Sequence, residues 1–337
     1  MIDSMDRRLL LKGAIAAALG AAALPRLGFA AAPAQLTVVN TEGPFTRIFH
    51  EVVRSLGYMD QFGVEAKTSY ILGTPLLVEA LVKGNADLCI YSGFSPVLAA
   101  IEKGAPLKIL AGANMLPAQA VFAKSPSITR LKDLEGKRIG VGVSGALLHQ
   151  LMVAALQKGG ADPAKVTFVD IGNTTQVFRA IVDGKVDAGP AEAGFLDLQK
   201  QNNVHVLTDG KLWETVPAYT NQASYASMAA ITSKRPALVA TLAAHAKLYR
   251  YMQEPQSWDA YAAARKVALK QDNPAEARAQ WDFYQTQKPF AVNLVVSEER
   301  IRYVQELNVA MGMQSKVMPY EQVADMSLAR DALKLIG

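Results

Sequence analysis

The segment Val78-Glu79-Ala80-Leu81-Val82-Lys83-Gly84-Asn85-Ala86-Asp87-Leu88 recurs 100 residues later as Phe178-Arg179-Ala180-Ile181-Val182-Asp183-Gly184-Lys185-Val186-Asp187-Ala188. Each copy reads as the last turns of an amphipathic helix, a glycine where a helix C-cap takes a left-handed residue, and an aspartate leading into a strand. The match extends outward. Upstream, Leu36 to Val39 and Lys137 to Val141 are strand patterns, each followed by a glycine-containing loop (Glu42-Gly43-Pro44, Ser144-Gly145-Ala146) and a helix ending at Gly57 or Gly159. A second strand follows in each copy, Glu65 to Ile71 and Val166 to Ile171, then Gly73-Thr74 or Asn173-Thr174 at the next helix start. Strand, helix, strand, helix, strand is a βαβαβ unit, which folds as a mostly parallel sheet flanked by helices with right-handed crossovers. Two units make two lobes of an α/β protein.

Between the copies, Leu107 to Ala113 and Ala118 to Ala123 read as further strands, with Asn114 to Pro117 crossing between lobes. A return crossing fits Tyr219 to Gln222, before a strand-like run from Ala226 to Thr232. From Pro236 the pattern is helical, broken at Glu254-Pro255, Asn273-Pro274 and Lys288-Pro289, and this tail is expected to cover the first lobe. The expected domains are residues 31–116 plus 222–337 for lobe 1 with its helical C-terminal segment, and 117–221 for lobe 2.

At the N-terminus, Arg7-Arg8 and Lys12 precede an apolar run from Gly13 to Leu24 and the small-x-small sequence Gly28-Phe29-Ala30, the layout of a cleavable signal peptide over 1–30. The run of 12 residues is too short to span a membrane. Cleavage after Ala30 is expected, because cutting after Ala32 would place Pro33 next. The paired arginines resemble a twin-arginine signal, although Asp6 replaces the usual Ser/Thr and Leu10 the usual Phe; an ordinary secretory signal is the alternative. No cysteine adjoins the site, so the expected product is periplasmic, soluble and not lipid-anchored.

Several function classes are set aside. The formal net charge of +5 falls to +3 once the signal's net +2 is removed, and no block of like charges offers a nucleic-acid face. Cys89 is the single cysteine, so neither an internal disulfide nor a cysteine zinc site can form. The four histidines show no metal-ligand spacing, and no nucleophile or metalloprotease motif is present, so no catalytic residue, metal or cofactor is expected. Gly140-Val141-Gly142-Val143-Ser144-Gly145 is a literal G-x-G-x-x-G with Asp170 ending the next strand, a dinucleotide-binding pattern. It is read as a false positive, because its surrounding unit is short and the other lobe has the same strand-loop-helix without the glycines.

Ligands of open α/β sheets bind outside the carboxyl ends of the strands. Here those ends are Thr41 to Phe45, Gly73-Thr74-Pro75 and Tyr91 to Phe94 in the first lobe, and Val143 to Ala146, Gly172-Asn173-Thr174 and Pro190-Ala191-Glu192 in the second. Thr74, Ser144 and Thr174 at helix starts act either as N-caps or as part of an anion site. Glu192 takes the place of Ser92 under the offset and either grips an amino group of a ligand or is a solvated or locally paired glutamate. Among the aromatics, Phe45, Tyr91 and Tyr219 are candidates for a cleft wall, while Phe94 and Phe195 read as core.

The segments Leu77 to Asp87, Leu98 to Leu107, Leu134 to Gly140 and Ile181 to Ala188 resemble ABC-transporter solute-binding proteins of the nitrate/sulfonate/taurine type, within the thiamine-pyrimidine synthase-like superfamily. The likeness runs from about Leu36 to Met252. It implies a two-lobed type II periplasmic binding protein fold and a monomeric receptor that delivers a small solute to an inner-membrane permease and its ATPase. It also implies that the ligand loops map onto Gly43, Phe45, Thr74, Tyr91, Ser92, Ser144, Gly145, Asn173, Thr174 and Glu192, with Tyr219 added as a possible wall. The expected ligand is an amino-sulfonate or a related small anion. The alternatives are an aromatic acid or thiamine-precursor pyrimidine held by Tyr91 and Tyr219, or an enzyme on the same fold, pyrimidine synthase-like or desulfinase-like. The desulfinase type needs a reactive cysteine, whereas Cys89 reads as an inert thiol inside a strand.

Overall fold

The computed structural model describes residues 33–270 and 273–337, in which the repeat folds as two five-stranded sheets. The expected signal at 1–30, its cleavage after Ala30 and its twin-arginine character lie outside the described residues. The strands are β1 (Ala34–Thr41), β2 (Val64–Ile71), β3 (Leu88–Ser92), β4 (Leu107–Gly112), β5 (Gln119–Ala123), β6 (Arg138–Val141), β7 (Thr167–Asp170), β8 (Ala188–Glu192), β9 (His205–Lys211) and β10 (Ala223–Ser227). Lobe 1 has the order β2-β1-β3-β10-β4 and lobe 2 the order β7-β6-β8-β5-β9. β1 pairs parallel with β2 and β3, as β6 does with β7 and β8. β10 runs antiparallel between β3 and β4, as β5 does between β8 and β9. The sheets are therefore mixed, each with one reversed strand that arrives directly from the other lobe. A reversed strand needs no crossover helix.

The sequence repeat has a physical cause. Helices α1 (Pro44–Ser55), α2 (Thr74–Val82), α3 (Ser95–Glu102), α4 (Leu147–Lys158) and α5 (Thr174–Val182) flank the sheets, and α2 and α5 keep the 100-residue offset at both ends. Gly84 and Gly184 follow them with φ of 73° and 71°, letting the next N–H, of Asn85 or Lys185, bond back to the carbonyl of Ala80 or Ala180. Asp87 then behaves as an extra rung of the sheet. Its N–H donates to Thr37 O at 2.8 Å, and its carboxylate accepts the Thr37 N–H at 2.8 Å. Asp187 repeats both bonds with Arg138, at 2.8 and 2.7 Å.

The helical tail comprises α6 (Arg235–Met252), α7 (Trp258–Leu269), α8 (Pro274–Gln287), α9 (Glu298–Ala310) and α10 (Ser327–Lys334). Breaks fall at the expected places: Asn273 caps α8 by accepting the Glu276 N–H, and Lys288 ends it in a left-handed conformation. The strand expected over Ala226 to Thr232 is instead β10 at Ala223–Ser227, followed by a helix at Met228–Ser233. Ser227 Oγ accepts the Ala230 N–H at 3.2 Å, and this cap converts the alanine-containing run to helix.

The tail reaches both lobes. α7 packs on α1 and α10 along α6, whereas α8 lies against residues 193–198 of lobe 2, where the Gly194 N–H donates to Gln280 Oε1 at 2.8 Å. α9 sits between α3 of lobe 1 and α4 of lobe 2. There the fully buried Asn308 joins both: Ser95 Oγ and Gln150 Nε2 donate to its Oδ1 at 2.5 and 2.7 Å, and its Nδ2 donates to Ser95 O and Gln314 Oε1. No helix among the described residues is long and apolar enough to cross a membrane.

Candidate functional site

Four helix starts converge on a cavity of about 120 Å³ between the lobes, enough for a solute on the order of ten water-sized groups. α1, α2 and α4 begin at Gly43, Gly73 and Ala146, which all line the cavity, and none of the three has a side-chain cap. Their first N–H groups carry the positive end of each helix dipole. α5 is different. Asn173 and Gln176 form a reciprocal capping box, with side-chain to backbone bonds of 3.0 and 2.8 Å.

Thr74 and Thr174 occupy the first helical position, one past the cap, and each hydroxyl reaches across to the end of the following strand. Thr74 Oγ1 lies 3.3 Å from Ser92 Oγ, while Thr174 Oγ1 donates to Glu192 Oε1 at 3.0 Å. The repeat thus preserves the contact and changes its chemistry from hydroxyl to carboxylate. Ser144 is not at a helix start: α4 opens at Leu147, and Ser144 Oγ donates to Asp170 Oδ1 at 2.7 Å.

Six of the residues singled out from sequence line the cavity: Gly43, Phe45, Thr74, Asn173, Thr174 and Glu192. The others do not. Ser92 is buried behind Thr74, and Gly145 faces Met313. Tyr91 leaves β3 on the face opposite its neighbour Ser92, as strand pleating requires, and enters a core cluster with Phe45, Phe49 and His245. Tyr219 is buried with its hydroxyl donating to Gln150 Oε1 at 2.8 Å.

The cavity floor comes from residues with no motif. Asn114 belongs to the outward crossing, Gln119 opens β5 just after it, Asn221 and Gln222 belong to the return, and all four line the cavity. The crossings are held together where the Gln222 N–H donates to Asn114 O at 2.9 Å and Gln222 O accepts the Ala113 N–H at 3.0 Å. Above this floor the lobes touch, Gly93 lying so close to Leu147 that a Cβ added to it would stand 2.8 Å from Leu147 Cβ.

Among the described residues, the charged side chains lining the cavity are Glu42 and Glu192. Glu42 is held at both oxygens by Arg47, at 2.6 and 2.7 Å. Burial pushes Glu192 up to about 7, against the hydrogen bond from Thr174, with Glu276 raising it further and Arg265 lowering it.

Cys89 is buried in β3 with its thiol pushed far above its ordinary range by burial, and it does not line the cavity. The glycine-rich run has a packing explanation: a Cβ on Gly140 would stand 3.0 Å from Val186, and one on Gly142 would stand 3.0 Å from Gly172 O. Strand proximity, not a pyrophosphate, accounts for those two glycines.

A family model described as NMT1/THI5 like matches residues 52–257. No curated protein matches the chain. Among solved structures, the alkanesulfonate-binding protein SsuA from Xanthomonas axonopodis, bound to MOPS, is similar at 20% identity over 90% of this chain and 99% of that one, with a TM-score of 0.68. The periplasmic nitrate-binding protein NrtA from Synechocystis is similar at 12% identity over 90% and 89%, TM-score 0.72. The desulfurization enzyme DSZB is similar at 16% identity over 89% and 99%, TM-score 0.61. At these identities the likeness establishes a shared periplasmic binding protein fold.

Proposed function

Because the chain belongs to the NMT1/THI5-like family, we propose that it is the periplasmic solute-binding component of an ABC importer, a single chain that captures a small polar organic solute and passes it to a membrane permease and its ATPase. The observation that carries this reading is the cavity between two repeat-related lobes, lined by three uncapped helix starts, two from lobe 1 and one from lobe 2, and by Glu192 of lobe 2. The helix starts suit an anionic head, and Glu192 suits an amino end, so an amino-sulfonate or a similar small anion is the proposed ligand. SsuA and NrtA, which share the fold, are binders of alkanesulfonates and of nitrate.

Capture works through the crossings. A solute that touches both lobes favours the closed arrangement, and bending at residues 114–117 and 219–222 opens it. Capture is preferred over catalysis because the cavity presents no cysteine, and the thiol that a desulfinase-like reading requires is sealed in the core. For the alternative of a flat aromatic or pyrimidine ligand, Tyr91 and Tyr219 are both buried away from this cavity, and Phe45 is the aromatic that lines it.

A thermal-shift screen across sulfonates, aromatic acids, pyrimidines and amino acids tests the proposal. A true ligand at 100 times its dissociation constant adds about 2.7 kcal/mol of stability. The expected result is a hit that is recovered unchanged after incubation with the protein. Conversion of the hit into a product would sink the binder reading in favour of an enzyme.

A further inference from the structure

We propose that His149 is the positioning residue for lobe 2's wall of the cleft: its neutral ring holds the loop between β6 and α4 in shape, and protonation lets that loop go. The proposal rests on the solute-capture reading above and adds to it a wall that loosens in acid.

The loop is the part of lobe 2 that both lines the cavity and meets the rest of the protein across it. Gly142, Val143, Ala146 and Leu147 are all lining residues. Val143 lies against Gly73 and Leu147 against Gly93, both glycines of lobe 1, while Gly145 lies against Met313 of the tail; a Cβ added to any of the three glycines would stand 3.3 Å or less from its neighbour.

Few bonds hold this loop. α4 has no side-chain cap. The Ala146 N–H donates to Val143 O at 3.0 Å, Ser144 Oγ to Asp170 Oδ1 at 2.7 Å, and the Gly145 N–H to His149 Nδ1 at 2.8 Å. The histidine thus secures the one loop residue with a left-handed backbone, Gly145 at φ of 76°. His149 is the third residue of α4, the position from which Gln176 of α5 reaches back to accept the Asn173 N–H at 2.8 Å. In α4 the same reach extends one residue further out. The difference lies in the acceptor: an amide oxygen accepts at any pH, whereas an imidazole nitrogen accepts only while it is unprotonated.

A backbone N–H can only donate, so Nδ1 carries no proton and the ring holds its single hydrogen on Nε2. An imidazolium has an N–H at both nitrogens, so protonation sets two donors against each other where the bond now stands. The surroundings favour the neutral ring. It is half-buried and packs on Phe168 with centroids 4.3 Å apart, and burial lowers its pKa from the ordinary 6.5, with Asp170 acting in the opposite sense.

Asp170, at the end of β7, is the charged group that acts on this ring. Of the other elements packed on α4, the turns at 131–134 and 163–165 bring Lys132 and Lys165, both beside Glu135, and Asp133 beside Arg130. The helix at Leu212–Thr215 brings Glu214, beside Lys211. β6 carries Arg138 at the end away from the loop, β8 carries Glu192 bonded to Thr174, and α9 meets α4 through the uncharged Val304 and Asn308. A folded-state pKa below the unfolded value means that the bond's contribution is complete above about pH 6.5 and is lost as the pH falls through the folded value.

Hydrogen exchange at the Gly145 amide of the unmodified chain, between about pH 7.5 and about pH 5, tests this without any ligand, so its outcome is separate from that of the solute screen. His149→Asn keeps an acceptor oxygen near the place of Nδ1 and does not titrate; His149→Leu removes the acceptor. Comparing chains at one pH cancels the intrinsic pH dependence of exchange and the titration of Glu192. At the higher pH the wild type and His149→Asn should protect the amide alike, with His149→Leu exchanging it about tenfold faster. At the lower pH the wild type should match His149→Leu while His149→Asn keeps its protection. The wild-type change should share its midpoint with the titration of the His149 ring followed by NMR. Equal protection of the wild type at both pH values, after that cancellation, would overturn the proposal, as would an equal acid loss in His149→Asn. Where a variant fails to fold or to protect the amide, the wild type decides alone: two different midpoints sink the proposal.

Discussion

Glu192 shows how much one side chain can decide at the residue scale. Its acid form is favoured by burial in the folded protein, with a pKa raised from 4.5 to about 7, so the native state holds a proton that the unfolded chain releases. Stability therefore falls as pH rises from about 4.5 to about 7, and Glu192→Gln should flatten that part of the curve, as urea titrations across the range will register. Binding should run the other way. An amine needs the ionised carboxylate, so the affinity of an amine-bearing ligand should rise as pH passes through about 7 in the wild type and stay level in Glu192→Gln, read by calorimetry. Glu192 was legible in the sequence because the repeat aligned it with Ser92. Gln119, Asn221 and Gln222 were not, since amides on short crossing strands form no period and match no motif. Tyr91 misled for a related reason: a strand end names two neighbouring residues, and pleating sends them to opposite faces.

Among elements, the glycine-to-aspartate turn is the unit that the sequence repeated, and the structure explains it as a helix stop joined to a strand clamp. Asp187→Ala should cost about 1.5–3 kcal/mol in urea unfolding, the range for a hydrogen bond to a charged group. Asp87→Ala should cost more than its counterpart, because Lys234 Nζ also loses its partner at 2.8 Å. Gly184→Ala, at φ of 71°, should cost about 1 kcal/mol. Equal losses for the two aspartates would show that the lysine contact is immaterial. The βαβαβ order, the crossings and the proline breaks were all readable, being set by local pattern. The start of α4 and the end of β10 were not. Ser144 looks like a cap but spends its hydroxyl on Asp170, and Ser227 is the last residue of β10 and at the same time the cap of the helix that follows.

For the whole molecule, the tail is a strut between lobes as well as a cover for one of them. Asn308 holds Ser95 of lobe 1 and Gln150 of lobe 2, so Asn308→Leu leaves several buried polar groups unpaired and should destabilise the protein by about 2–4 kcal/mol in chemical unfolding. Gly93→Val acts on the same pair of helix starts, two residues before Ser95 and against Leu147. Its side chain would collide with Leu147, so scattering should show a more open molecule, and ligand-induced stabilisation should disappear while the fold persists. The placement of β10 also dictates an order of events during synthesis. Its slot lies between β3 and β4, yet the ribosome delivers it only after all five strands of lobe 2. Lobe 2 can close its sheet as a continuous stretch of chain, while the edges of β3 and β4 wait unpaired for their middle strand. Pulsed hydrogen exchange during refolding should accordingly find amides of β6 and β8 protected before those of β3 and β4. A nascent chain halted just before Ala223 would hold one finished lobe and one with a gap at its centre.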